Sequence, residues 1–243
     1  MSLIKNTSIY TLGSILPKIG AFIFLPLYLK YLTPVDYGII SSLHVLNAIL
    51  LVLFTFSMPR ALYRLYYDYK IIEEQKKLFG TVFISVVVLS LISFLILFLL
   101  QNQIQNIYNS INFYPYFAYA IIIVLFQSLH TIPTIFLQIK EQASTFVIIS
   151  VSLFFFKSLI ILLFIIALDK GALGYLQAEL ITALVFLPIY YYFIKNYIKL
   201  IWNRKIFINV ISFCLPILPN IISAWILNLS DRIFIEHFFT AAD

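Results

Sequence analysis

Long apolar segments alternate with short polar ones along the whole chain. Six of them are long enough to cross a bilayer as a helix, which needs about 20 residues at 1.5 Å each. They are Ile9–Tyr31, Tyr37–Ser57, Leu78–Leu100, Phe113–Ile139, Thr145–Leu168 and Leu173–Ile194. A seventh, Phe207–Phe239, is broken by Pro216 and Pro219. None has the period-two alternation of barrel strands, so the pattern predicts an all-α integral membrane protein, a polytopic helix bundle.

Composition and charge agree with this prediction. Hydrophobic residues make up 63% of the 243 residues and charged residues only 11%, which excludes an ordinary soluble domain. With a cytoplasmic N-terminus, eleven of the sixteen Lys and Arg residues fall in inner loops and two in outer loops. This bias predicts the orientation. It also explains the net charge of +6 without a nucleic-acid partner.

The region after the sixth apolar segment divides the chain. Residues 197–207 mix Leu200, Ile201 and Trp202 with Lys199, Arg204 and Lys205. This mixture predicts a short interfacial helix on the inner leaflet that links two halves. We therefore predict a six-span lobe over residues 1–196, a cytoplasmic linker over 197–206, and the first helix of a second lobe over 207–243.

Lys18 lies near the middle of the first apolar segment. A cation at the bilayer centre costs roughly 2.5–3.5 kcal/mol on insertion scales, so it is expected to face a partner or a watery cavity. Thr7, Thr11 and Ser14 precede it at spacings that place all four residues on one helix face. Similar stripes are formed by Ser41, His44 and Thr55, by Gln127, Thr131, Thr134 and Gln138, and by Asn220, Ser223 and Ser230. Such stripes either hydrogen-bond between helices or line a shared polar cavity.

The other charges inside the spans each have two interpretations. Lys157 either pairs with Glu179 of the next span or adds positive potential to a cavity. Arg60 and Arg64, one turn apart at the inner end of the second span, either reach to the interface or attract anions at the cavity mouth. Arg232 either pairs with its neighbour Asp231 or bridges to another helix.

Two further polar residues are predicted to have structural roles. His44 is expected to be hydrogen-bonded within the bundle rather than to relay protons. Asp36 is expected to cap the second helix. The chain contains no phosphate-binding loop, zinc-protease helix or nucleophile elbow, so no enzyme, metal or cofactor is predicted.

The two ends of the sequence resemble a known family. Residues 14–20 (SILPKIG), 25–29 (LPLYL) and 31–38 (YLTPVDYG) near the start, with 215–220 (LPILPN) and 229–235 (LSDRIFI), are similar to the polysaccharide biosynthesis, or O-antigen flippase, family. This family belongs to the multidrug, oligosaccharidyl-lipid and polysaccharide exporter superfamily. The resemblance implies two lobes arranged as an inverted V. This chain would hold the first six-helix lobe and the broken seventh helix, so we expect it to be part of a longer, truncated protein.

The resemblance also implies a function. Members flip a polyprenyl-pyrophosphate-linked oligosaccharide, an O-antigen or capsule repeat unit, across the bacterial inner membrane by alternating access. A polysaccharide polymerase and chain-length machinery are candidate partners, alongside membrane lipids. The residues predicted to line the substrate cavity are Lys18, Ser14, Thr11, Arg60, Arg64, Lys157, Asn220 and Arg232. The alternatives are a small-molecule exporter of the same superfamily, a polytopic enzyme, and an inactive fragment.

Overall fold

The structure, a computed structural model, describes residues 2–107 and 111–224. For residues 2–9, 12, 14 and 107 it describes the backbone only. Its helices are α1 (Ser2–Tyr31), α2 (Pro34–Thr55), α3 (Met58–Leu65), α4 (Ile72–Leu99), α5 (Gln101–Ile107), α6 (Ala118–Ile139), α7 (Ala143–Leu162), α8 (Gly171–Ile194), α9 (Arg204–Cys214) and α10 (Ile217–Ala224). A 3₁₀ turn (Tyr66–Asp68) follows α3, and π-helical turns (Phe113–Phe117 and Leu163–Ala167) precede α6 and extend α7. No strand occurs in the described residues, and the all-α membrane fold is confirmed.

Five helices in the described part of the chain are long and apolar enough to cross a membrane. They are α2, α4, α6 with its preceding turn, α7 with its extension, and α8. α9 and α10 together qualify as a sixth, broken span, bent by 43°. The bend begins at residue 215, beside Pro216, as the sequence predicts for the seventh segment. The first predicted span is a single helix, α1, which contains Pro17 and Pro26.

Asp36 joins the starts of two helices. Thr33 caps α2: its hydroxyl accepts from the Asp36 backbone N–H, and the Asp36 carboxylate accepts from the Thr33 N–H. The same carboxylate accepts from the Ala172 N–H at the start of α8, at 2.8 Å. The predicted capping role is confirmed, and we call this end of the bundle the Asp36 end.

α2 and α3 are separated by a sharp break. Phe56 and Ser57 both adopt left-handed backbone conformations, with φ of 50° and 56°. α3 therefore leaves the axis of α2 as a separate helix that buries Met58, Ala61 and Leu62. Its opposite side exposes Arg60 and Arg64. We call this end of the bundle the Arg60 end.

α6 occupies the centre of the bundle and packs against α2, α4, α7 and α8. Two apolar clusters fill the interior, one built around Leu43, Phe117 and Ile121 and the other around Leu62, Phe79 and Phe136. α1 lies at the edge, where it packs chiefly on α7.

The predicted interfacial helix over residues 197–207 is wrong. Residues 195–203 form no helix, and α9 begins only at Arg204. Asn203 is the reason for this late start, since its side-chain oxygen accepts from the Lys205 and Ile206 N–H groups as an N-cap.

The linker is instead a strap bonded to α4. The Thr81 hydroxyl donates to the Ile201 carbonyl and accepts from the Asn203 N–H, both at 3.2 Å. The Trp202 indole donates to the Ser85 hydroxyl at 3.2 Å. In a helix, the Ile201 carbonyl and the Asn203 N–H would be paired with other backbone groups; here the Thr81 hydroxyl satisfies both. A Cβ on Gly80 would lie 1.8 Å from the Lys199 carbonyl oxygen, so the strap approaches too closely for any other residue there.

Candidate functional site

A lysine and a glutamate from neighbouring helices form an ion pair inside the bundle. Lys157 of α7 donates to Glu179 of α8. The Glu179 side chain is 3% exposed and the Lys157 side chain 26%. An isolated charge is costly away from water, so each side chain stabilises the charge of the other. This is the first of the two interpretations that the sequence left open for Lys157.

Aromatic side chains surround the pair on the side of α1 and α2. The Lys157 ammonium lies 5.5 Å from the centroid of the Tyr175 ring, within the range of a cation–π contact. The Tyr175 hydroxyl hydrogen-bonds the His44 ring at 3.0 Å, and the Tyr28 ring packs edge-on against Tyr175. The predicted hydrogen bonding of His44 within the bundle is therefore confirmed.

A cavity of about 250 Å³ lies on the other side of the pair. Its lining side chains come from α6, α7 and α8: Gln127, His130, Leu153, Lys157, Glu179, Thr182, Ala183 and Tyr190. Within the described residues, Glu179 Oε2 and His130 Nε2 are buried without a hydrogen-bond partner. Both members of the pair reach the wall of this cavity, but because Glu179 neutralises Lys157, a role of Lys157 in adding positive potential stays a prediction.

Lys18 has entirely different surroundings. α1 packs on α7 through Gly13 and Gly20, where a Cβ would lie 2.6 Å from Val147 and 2.3 Å from Phe154. Lys18 is two residues from Gly20, about 200° around the helix, so it lies on the face turned away from α7. Its side chain is exposed and has no hydrogen-bond or ion-pair partner among the described residues. Thr11, on the same face, is also exposed, and the Ser14 side chain lies outside the described set.

A second cavity, of about 360 Å³, opens at the Arg60 end. It is lined by Tyr10 and Thr11 of α1, Tyr63 of α3, Gln138 of α6 and Phe146 of α7. We call it the Arg60-end cavity. Arg60 and Arg64 flank Tyr63 on α3 and are exposed. Arg64 forms a solvent-exposed ion pair with Asp68 at 3.0 Å.

The structure thus groups some of the predicted site residues and separates others. Thr11 shares a cavity with Tyr63, the neighbour of the two arginines, whereas Lys157 belongs to the separate buried pair. Asn220 is exposed on α10. Arg232, with the 229–235 motif, lies outside the described residues. The role of each residue as a substrate contact stays a prediction.

The polar stripes have mixed roles. Thr131 and Thr134 donate to carbonyls one turn back in their own helix, and the Thr134 side chain also hydrogen-bonds Tyr190 of α8. Gln127 and Gln138 instead line the two cavities. The interhelical alternative holds for a serine pair outside the stripes, Ser90 and Ser128, whose hydroxyls lie 2.8 Å apart.

Sequence reasoning missed three residues of these sites. Tyr175 lies one turn before Glu179, and His130 one turn from Gln127 and Thr134, so helical spacing from a known polar residue was the available signal. Tyr63 carried the same signal, three residues after Arg60, but the helix α3 that presents it was not predicted. In the described part of the chain, no three His, Cys, Asp or Glu side chains come together in an arrangement that could hold a metal ion.

The sequence profile of the polysaccharide biosynthesis protein family matches residues 30–243, and the chain therefore belongs to this family. The resemblance seen in the sequence is confirmed at this level. It assigns the chain to polysaccharide biosynthesis or export in general. No curated protein and no solved structure matches the chain significantly.

Proposed function

We propose that this polysaccharide biosynthesis protein is a flippase that moves a polyprenyl-pyrophosphate-linked oligosaccharide across the bacterial inner membrane. The cargo would be an O-antigen or capsule repeat unit. The chain would transport it without catalysing a covalent step.

The observation that carries the proposal is Lys18, which is exposed in the middle of a long, mostly apolar helix and has no hydrogen-bond or ion-pair partner among the described residues. Lys157 shows that this protein neutralises a cation with a carboxylate where the cation is packed inside the bundle. Lys18 receives no such partner from the described residues, and its face is turned away from the first lobe. An anionic ligand in a cavity between two lobes would supply the missing countercharge, and a pyrophosphate suits an ammonium group.

The Arg60 end also supports transport of a lipid that starts in the inner leaflet. The inner-loop excess of Lys and Arg in the sequence predicts that this end, with α3, lies at the cytoplasmic surface. Arg60 and Arg64 would then meet the headgroup of a lipid whose pyrophosphate is in the inner leaflet. The 43° bend between α9 and α10 gives the start of the second lobe a place to pivot during alternating access.

The experiment replaces Lys18 with Ala in the full chain encoded by the native host. Surface polysaccharide should be lost, lipid-linked repeat units should accumulate inside, and the protein level in the membrane should stay unchanged. Lys30→Ala is the matched control, since Lys30 is an exposed lysine at the end of the same helix, over the Tyr31 ring.

Lys18→Arg should retain much of the display, because the positive charge remains. Normal polysaccharide in Lys18→Ala cells would contradict the proposal. If export of small cationic compounds fell instead, the protein would be a small-molecule exporter.

A further inference from the structure

Two exposed tyrosines share one side of the chain with Arg60 and Arg64. Arg60, Tyr63 and Arg64 of α3 and Tyr67 of the 3₁₀ turn that follows recur at spacings of three, one and three, which places them on one side of a helix. We call this side the exposed face of α3. Tyr63 is 46% exposed and Tyr67 52%, which is high for aromatic side chains.

The opposite face of the same segment is firmly anchored. Tyr66 is 8% exposed, and its hydroxyl accepts from the Lys140 ammonium at 2.5 Å and donates to Gln75 at 2.7 Å. Gln75 in turn donates to the Tyr69 carbonyl at 2.9 Å. The exposed tyrosines are thus presented from a fixed element, as recognition residues on loops commonly are.

Residues of three other helices complete the surroundings of Tyr63. Gln138 of α6 contributes an amide to the Arg60-end cavity, which Thr11 of α1 also lines. Tyr10 and Phe146 form its aromatic base, with ring centroids 5.3 Å apart. The Tyr10 hydroxyl is already used, because it donates to the Leu137 carbonyl at 3.1 Å.

Tyr67 adds a hydrogen-bond donor beside the cavity. Partial burial raises the pKa of the Tyr67 hydroxyl, and the nearby Tyr63 and Glu141 raise it further. Like an ordinary tyrosine, Tyr67 is protonated at cellular pH and its hydroxyl can donate. Aromatic faces next to amide and hydroxyl groups match a sugar ring, which has both apolar C–H faces and hydroxyls.

We infer that the Arg60-end cavity and the exposed face of α3 bind the first sugar ring of a pyrophosphate-linked glycolipid. Tyr63 and Tyr67 contact the ring, Gln138 bonds its hydroxyls, and Arg60 and Arg64 bind the adjoining pyrophosphate. Arg60 has no ion-pair partner among the described residues, and the exposed Arg64–Asp68 pair is weak enough to exchange for phosphate. The inference rests on the proposed function and adds a sugar-binding site to it.

The test compares two kinds of probe on the purified full chain in detergent, by calorimetry. Farnesyl pyrophosphate carries the charge and a tail, and its glucosyl and galactosyl derivatives add one sugar ring. The wild-type chain should bind the glycosylated probes about two- to tenfold more tightly, the range expected from one aromatic contact. Tyr63→Ala should remove this ratio and leave the affinity for farnesyl pyrophosphate unchanged.

Tyr192→Ala is the matched control. Tyr192 is 64% exposed and stacks with a basic side chain, Lys195, but lies on α8 and away from the cavity. The ratio should persist in this variant. Tyr63→Phe should also retain most of the ratio, since the ring face remains.

Several outcomes would overturn the inference. These are a wild-type ratio of one, an unchanged ratio in Tyr63→Ala, and an equal loss in Tyr192→Ala. If glucose 1-phosphate bound as tightly as the glycosylated farnesyl pyrophosphates, the site would bind soluble sugar phosphates instead of lipid-linked ones. None of these outcomes touches the proposed function, which fails only if Lys18→Ala leaves surface polysaccharide intact.

Discussion

Lys18 and Lys157 are both lysines deep inside long apolar helices, and their environments are opposite. Lys157 is three-quarters covered and paired with the buried Glu179, under the ring of Tyr175. Lys18 is exposed on the outward face of α1, with no partner among the described residues. Lys157 is thus satisfied within one lobe, whereas Lys18 has no partner among the described residues of that lobe.

The comparison separates stability from function. Removing one partner of a buried pair leaves an uncompensated charge, so the fold should suffer. Removing Lys18 takes away a charge that nothing in the described lobe uses, so only ligand binding should suffer. The following predictions test this separation, beginning with the largest expected effect.

Glu179→Ala should destabilise the protein by about 3–5 kcal/mol, because Lys157 would remain charged without its partner. Thermal unfolding in detergent and the amount of folded protein in the membrane measure the loss. The double variant Lys157→Leu, Glu179→Leu should recover most of it, since a well-packed apolar pair replaces both charges. If the double variant were as unstable as Glu179→Ala, the pair would be needed for more than charge balance.

The next largest effect is expected in water access, which should differ between the surroundings of Lys18 and those of Lys157. In a Cys214→Ala background, which removes the only cysteine, a membrane-impermeant thiol reagent should modify Lys18→Cys on the order of tenfold faster than Ser158→Cys. Ser158 is a buried neighbour of Lys157 and nearly the size of cysteine.

Phe155→Cys gives this experiment a reference position that faces lipid. Phe155 is 60% exposed beside an apolar groove between α1 and α7, where no water is expected. Slow modification of both Phe155→Cys and Lys18→Cys would mean that Lys18 faces lipid, which would remove the basis of the comparison.

The sequence predicted the membrane helices well because their signal is local. Twenty apolar residues and a positive-inside bias need no knowledge of neighbours, and the Thr33–Asp36 capping box is complete within four residues. The Lys157–Glu179 pair was also within reach, since a short hairpin brings consecutive helices together. Even so, the sequence left its role open, because helix rotation depends on packing.

Contacts between distant segments were out of reach. The strap after α8 looked like an amphipathic helix, and its bonds to Thr81 and Ser85 arise from residues more than a hundred positions away. The break at Phe56 and Ser57 has no glycine, and although Pro59 marks a helix start in the sequence, α3 and its tyrosine face were not predicted. Both errors concern places where tertiary contacts override local preference.

Tyr175→Phe should have a smaller effect than breaking the ion pair. It removes the hydrogen bond to His44 and keeps the ring over Lys157, so the expected cost is about 1 kcal/mol. His44→Phe should cost a similar amount, and the double variant no more than either alone. Thermal unfolding checks this order, and a loss as large as that of Glu179→Ala would place the hydroxyl within the charge network itself.

Lys18→Leu should have the smallest effect on stability and is the sharpest test of the comparison. If Lys18 faces a water-filled space, an apolar replacement should change the free energy of unfolding by no more than about 0.5 kcal/mol, as at other exposed positions. If it faces lipid, the same change should relieve an insertion cost of roughly 2.5–3.5 kcal/mol and raise the unfolding temperature clearly. Unfolding of Lys18→Leu beside Lys30→Leu, in the same detergent, separates the two cases. Unchanged stability together with lost polysaccharide display would show that the charge is maintained for the cargo, since the fold is indifferent to it.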